Sequence, residues 1–172
     1  MKLTFKNDAL LNGINIVQKA VPSKTTMSIL ECILIDASGS EIKLTGNDTE
    51  LGIETKVEGS ILERGKIALE AKIFSEIIRK LSSPDGEITI ESDSRFNTTI
   101  SSANSVFNIQ GRDGEEFSYL PYIEKDKYIQ LSQFTLKEVI RQTLFSISPN
   151  DSNKMMTGEL FEIKGDTLKV VS

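Results

Sequence analysis

The chain has 172 residues, of which 38% are hydrophobic and 26% charged, with a net charge of −5, one cysteine, no tryptophan and no histidine. This is an ordinary globular composition able to bury a core, and it excludes an internal disulfide, any Ser/His/Asp or Cys/His catalytic set and the commonest metal ligand. No apolar run approaches the roughly 20 residues that cross a bilayer, and the first residues lack a signal-peptide core, so the expected location is cytoplasmic.

Lys2 to Lys6 alternates Leu3 and Phe5 with polar neighbours, the period of a half-buried strand. Asn7 or Asp8 is placed to cap a helix whose inner stripe is Leu10, Ile14, Val17 and Val21, ended by Pro22; Asn12, Asn15 and Lys19 face outward. Ile29 to Asp36, a Ser38-Gly39 turn and Glu41 to Thr45 read as a hairpin, with further strands at Glu50 to Glu58 and Lys66 to Glu70. The next helix, Ala71 to Leu81, carries Phe74, Ile77, Ile78 and Leu81 on one stripe and Lys72, Glu76, Arg79 and Lys80 on the other. Three alternating strands follow at Glu87 to Glu91, Phe96 to Ser101 and Ser105 to Gln110, then an acidic stretch, Gly111 to Asp126, that reads as a linker. Tyr128 to Ser132 restarts the strand pattern, Thr135 to Ile147 the helix, and Gly158 to Lys164 with Thr167 to Val171 the hairpin.

That restart is a repeat. Phe5 and Leu131, Leu10 and Leu136, Ile14 and Ile140, Leu34 and Leu160, Gly39 and Gly165, and Lys43 and Lys169 are each 126 positions apart, without a gap. A period of this length means a duplicated domain, since solenoid repeats are far shorter. The expected fold class is α+β: a duplicated domain of antiparallel sheet backed by a pair of helices, the second copy incomplete because the chain stops inside its hairpin. The expected domains are 1–124 and 125–172, the latter the start of a second copy in a larger protein.

The three helices hold six bases, Lys19, Lys72, Arg79, Lys80, Lys137 and Arg141, against three acids, Asp8, Glu76 and Glu138. Positive charge is thus gathered on the helices of an acidic protein, and such a surface suits an anionic partner. Other chemistry is absent. Gly59 to Lys66 has the wrong glycine spacing for a phosphate loop, and Asp113, Glu115 and Glu116 lack the spacing of a calcium loop. Cys32, inside ILECILI, reads as a buried thiol.

Several stretches together, MKLTFKNDALLNGINIVQKAV, KTTMSILECILI, IKLTGNDTELGIE, LEAKIFSEIIRKL, VFNIQGRDGEEFSYLP, FTLKEVIRQTLFSIS and GELFEIKGDTLKVV, resemble the bacterial DNA polymerase III beta subunit, the sliding-clamp family. The resemblance runs in order along nearly the whole chain. It implies three clamp-type domains per subunit and a homodimer closed into a ring around double-stranded DNA, helices lining the hole. It further implies a processivity factor without catalysis, cofactor or metal, which tethers DNA polymerase and is placed by a clamp-loader. DNA-facing positions would be Lys19, Lys24, Lys72, Arg79 and Lys80 in the first domain, with Asn150 and Lys154 on a loop of the second. Lys154 and Met155 stand where the family's best-known member carries aromatic residues. Subunit closure would use Phe107 and Ile109 with Ile77 and Leu81 behind them, and Met156 would form one wall of a peptide-binding pocket. A non-ring protein-interaction scaffold on the same duplicated fold is a second reading, and an enzyme whose active site lies outside these residues a third.

Overall fold

The computed structural model describes residues 1–81, 86–103, 105–117, 120, 126, 128–148 and 152–172. The expected domain boundary at 124/125 and the loop residue Asn150 lie outside them. The chain divides into unit 1, Met1–Pro121, and unit 2, Tyr122–Ser172.

Unit 1 begins with β1 (Lys2–Lys6) and α1 (Asn7–Val17), continued by a 3-10 turn at Gln18–Ala20. A second 3-10 turn, Ser28–Glu31, leads into β2 (Cys32–Asp36), β3 (Ile42–Asn47), β4 (Gly52–Val57), β5 (Gly59–Glu63) and β6 (Lys66–Glu70). Then come α2 (Ala71–Lys80), β7 (Glu87–Ser92), β8 (Asn97–Ser102), β9 (Ser105–Gln110) and the two-residue β10 (Arg112–Asp113). All pairings are antiparallel and form two five-stranded sheets, ordered β5-β1-β7-β8-β9 and β10-β6-β2-β3-β4.

These two orders are the same order. Exchanging β1 with β6, α1 with α2, β2 with β7, β3 with β8, β4 with β9 and β5 with β10 maps one sheet onto the other. The first strands and helices lie 64 positions apart, so that Leu10 matches Phe74, Ile14 matches Ile78 and Val17 matches Leu81, all buried. Unit 1 is therefore a pair of strand–helix–four-strand halves; the first and last strands of each half pair with each other and join the sheet of the other half. One core joins the halves: Leu3, Phe5, Ile14, Ile33, Ile67, Phe74 and Ile90 belong to a single cluster drawn from both sheets and both helices.

Local chemistry corrects the sequence reading in four places. Asn7 does not cap α1: it is 3% exposed and its amide donates to the Ile78 carbonyl at 3.2 Å, joining α1 to α2, while Asp8 accepts from the Ala9 amide at 2.8 Å. The hairpin's first strand starts at Cys32, because Ser28–Glu31 turns instead of extending. A strand was missed at Gly59–Glu63, where Gly59 lets the chain pass β1; a side chain there would stand 2.6 Å from the Thr4 carbonyl oxygen. Finally, the start of the expected linker is folded. β10 pairs with β6, and Phe117, 1% exposed, forms a second small core with Cys32, Leu34 and Ala68. This explains why β2 is apolar on both faces: Ile33 and Ile35 enter the main core, and Cys32 and Leu34 lie under Phe117.

Burial also sets the chemistry of Cys32, whose thiol is pushed up by desolvation against the opposing pull of Arg112. The nucleophilic form is the thiolate. The native protein is therefore expected to react with an aromatic disulfide reagent at pH 8 only as fast as it unfolds; a rapid stoichiometric burst would contradict the buried assignment.

Unit 2 repeats the opening of unit 1 at the offset seen in the sequence. Its α3 (Gln133–Thr143), 3-10 turns (Leu144–Ser146 and Lys154–Thr157), β11 (Leu160–Lys164) and β12 (Thr167–Val171) follow the order of the first copy. Helix and turns coincide with their first-copy counterparts after a shift of 126. So does strand register: Leu34 pairs with Thr45 and Leu160 with Val171; Asp36 pairs with Lys43 and Glu162 with Lys169. Tyr128 to Ser132, expected to extend like β1, forms no strand among the described residues. β1 is held between β5 and β7, and no strand among the described residues of unit 2 is a counterpart of either.

Candidate nucleic-acid interface

α1 and α2 pack side by side, each burying its apolar stripe and leaving its other side exposed. On α1 and the turn after it that side carries Asp8, Asn12, Asn15 and Lys19; on α2 it carries Lys72, Ile73, Glu76, Arg79 and Lys80. The four bases exceed the two acids. Helical spacing produces the grouping, because Lys72, Glu76, Arg79 and Lys80 are three, four or one position apart, while Phe74, Ile77 and Ile78 fill the core side.

Four lysines of the sheets are held by carboxylates, whereas Lys6 on β1 and Arg112 on β10 make no ion pair among the described residues. Lys2 is held by Glu91 at 3.0 Å, Lys43 by Glu54 at 2.9 Å, Lys56 by Glu41 at 2.7 Å and Lys66 by Glu115 at 3.0 Å. The hydrogen bond from Lys56 holds the Glu41 carboxyl below the usual carboxylate range, and the bond to Glu54 raises Lys43. By contrast Lys19, Lys24, Lys72 and Lys80 have no ion-pair partner among the described residues. Ammonium groups on an exposed helix face without internal partners are placed to meet external anions, and phosphate contacts of this kind carry no sequence information.

Five expected DNA-facing residues thus fall in unit 1: Lys19, Lys72, Arg79 and Lys80 on the helix pair, and Lys24 in the exposed loop after α1. The other two belong to unit 2. Lys154 opens the 3-10 turn Lys154–Thr157, and Asn150 lies outside the described residues. By the 126-residue offset Asn150 is the counterpart of Lys24. The sequence reading gave Asn15 no role, yet Arg79 donates to its Oδ1 across the helix seam at 3.1 Å. No pattern along either helix signals this bond, which depends on how α1 and α2 pack.

The residues expected at a subunit interface gather at one end of a sheet. β9 is an edge strand; Phe107 and Ile109 are half-buried against the main core, which also holds Ile77 and Leu81 at 7% exposure each. The strand's other face presents Val106, 64% exposed. In unit 2 Met156 is 57% exposed, whereas its counterpart in the first copy, Leu30, is 2% exposed. The Met156 backbone is tied down at both ends, its amide bonding to Asn153 and its carbonyl accepting from Ser148.

No helix among the described residues is long and apolar enough to cross a membrane. A family profile for the DNA polymerase III beta subunit, N-terminal domain, matches residues 1–121. The beta sliding clamp of Halalkalibacterium halodurans is 40% identical over 176 aligned residues, and that of Bacillus subtilis 37%; each alignment covers 98% of this chain and 46% of the relative. Among solved structures, a DNA polymerase III beta subunit from Eubacterium rectale superposes with a TM-score of 0.93 at 64% identity, covering 100% of this chain and 47% of that one. The Bacillus subtilis DNA polymerase sliding clamp superposes with a TM-score of 0.89 at 35% identity, covering 98% and 46%. The chain therefore spans about half the length of the relatives it matches.

Proposed function

The chain belongs to the DNA polymerase III beta-subunit family, matched over residues 1–121, and from that membership we propose that it is the N-terminal part of a sliding clamp, a processivity factor that encircles duplex DNA and tethers the replicative polymerase. Domain 1 would be residues 1–124 and the start of domain 2 residues 125–172. A second subunit would close the ring through β9, and polymerase and clamp-loader peptides would dock near Met156 in the cytoplasm. The supporting observation is the surplus of positive charge on the exposed side of the helix pair, where Lys19, Lys72 and Lys80 have no ion-pair partner among the described residues while Lys2, Lys43, Lys56 and Lys66 of the sheets are held by carboxylates.

The mechanism needs no bond to be made or broken. A closed ring leaves duplex DNA only by opening or by running off an end, so the polymerase bound to it stays at high effective concentration. Sliding demands weak, sequence-independent attraction to phosphate, which scattered lysines provide and bidentate base contacts would spoil. In a protein of the relatives' length, retention on circular but not linear DNA is the expected behaviour. Changing Lys24, Lys72 and Lys80 together to glutamine should flatten the dependence of log affinity on log salt by about 0.9 for each phosphate no longer neutralised. An unchanged slope would remove the helix face from the proposal.

Closure has its own test. Phe107→Ala with Ile109→Ala thins the apolar side of the β9 edge, and large apolar residues at a strand edge are association sites. In a protein of the relatives' length, the double variant is expected to elute as a monomer where the parent elutes as a dimer. A dimer that persists at low micromolar concentration would place the interface elsewhere.

A further inference from the structure

The exposed side of α2 carries a carboxylate in the middle of its lysines. Lys72, Glu76 and Lys80 follow one another at intervals of four residues and so form one row along the helix. Neither lysine has an ion-pair partner among the described residues, and the carboxylate of Glu76 has neither an ion pair nor a hydrogen bond there. The two repeat offsets, 64 and 126, make Glu76 equivalent to Asn12 on α1 and to Glu138 on α3. Glu138 is held within its helix by Arg141, which donates to both its oxygens at 3.2 and 2.8 Å. Asn12 is neutral and exposed, so this helical position asks for no negative charge. The charge of Glu76 is thus one that no contact within unit 1 uses.

We propose that Glu76 sets how loosely the helix face holds DNA: its carboxylate weakens the attraction of Lys72 and Lys80 for phosphate and keeps the ring free to move along the duplex. The proposal rests on the clamp reading of this face. Residues four apart on a helix have Cβ atoms about 5–6 Å apart, inside the Debye length of about 8 Å at physiological salt. A phosphate that meets either lysine is therefore also repelled by Glu76. In a protein that grips its ligand, such a charge would be a defect. A closed ring is retained by its topology, so a tighter phosphate contact adds nothing to retention, and each contact must break before the ring can advance.

The test uses a protein of the relatives' length and two readouts: anisotropy of a fluorescein-labelled duplex across a series of salt concentrations, and tracking of a labelled ring on stretched DNA. Glu76→Gln, which keeps the shape and removes the charge, should raise affinity about two- to five-fold near 0.1 M salt, with the gain shrinking as salt rises. It should slow diffusion along the duplex by a similar factor, and Glu76→Lys should extend both changes. Glu87→Gln is the control for net charge. Glu87 is exposed and makes no ion pair among the described residues, and its neighbour Ile88, 0% exposed, points into the core, so Glu87 lies on the sheet face turned away from that core. Its variant should change neither readout. An unchanged or lower affinity in Glu76→Gln, or an equal gain in Glu87→Gln, would overturn the role given to Glu76; urea unfolding of each variant separates a folding defect from a charge effect. Changing Lys24, Lys72 and Lys80 to glutamine tells the two possible failures apart. If that triple variant flattens the salt slope while Glu76→Gln has no effect, this proposal fails alone; if the slope does not change, the clamp reading of the face fails and the proposal with it.

Discussion

Gly46→Ala is expected to destabilise unit 1 by about 3 kcal/mol or more, whereas Gly39→Ala should change its stability by less than about 0.5 kcal/mol. A Cβ on Gly46 would stand 2.3 Å from the Val17 carbonyl oxygen, at the end of α1 where the helix crosses β3; a Cβ on Gly39 meets nothing within 4 Å. The obstacle at Gly46 is backbone, so no side chain can turn aside, and relief would need α1 to lift off the sheet whose residues form its core. The second copy shows the same crossing solved differently. Ser172, the counterpart of Gly46, donates its hydroxyl to the carbonyl of Thr143, the counterpart of Val17, at 2.6 Å. Serine at position 46 would not reproduce this, because its own Cβ would meet the oxygen first. Urea unfolding followed by circular dichroism measures both variants. With a slope of about 1–2 kcal/mol per molar urea for a unit this size, the Gly46 variant should unfold about 2 M earlier. A parent-like midpoint would mean that α1 and β3 can separate freely.

How much of this was legible beforehand follows from which interactions are local. Strand alternation at Lys2–Lys6 and Lys66–Glu70 and the helix stripes are set by neighbours in sequence, and those elements fall where the pattern places them. The 126-residue repeat was readable because it runs without a gap. The 64-residue repeat inside unit 1 was not: beyond α2 the offset drifts, so that β3 and β8 start 55 positions apart and β4 and β9 start 53 apart. Asn7 was misread because capping and bridging use the same short amide, and only the arrival of α2 beside α1 supplies the Ile78 carbonyl. Phe117 lay in an acidic stretch with no period of its own, so its insertion over β2 is a tertiary fact. At the candidate interface the lysines were legible as a charge surplus, while the bond from Arg79 to Asn15 depends on a helix contact that no single-helix pattern encodes.

Leu10→Ala should cost about 2–5 kcal/mol, while the same substitution at its counterpart, Leu136→Ala, should cost less than about 1 kcal/mol in this chain. Sequence assigns the two leucines the same helical position, and the local structure agrees, since α3 occupies the counterpart residues of α1. Their surroundings differ: Leu10 is 0% exposed and Leu136 37%. The pattern continues along the copies, with Leu34 at 1% and Leu160 at 63%, Phe5 at 2% and Leu131 at 38%. Around Leu10 stand both sheets and α2; the described residues of unit 2 form one α-helix and one hairpin, and α3 buries none of its residues. Removing methyl groups leaves a cavity only where atoms surround them, and alanine is the better helix former where they do not. A loss approaching half the stability of a typical domain is thus expected at position 10. It should appear in the urea transition of unit 1 and leave that transition untouched when made at 136. In a chain of the relatives' length, supplying counterparts of α2, β6 and β7, the cost at Leu136 is expected to rise toward that at Leu10. A cost that stays small there would show that the second copy does not complete its core as the first does.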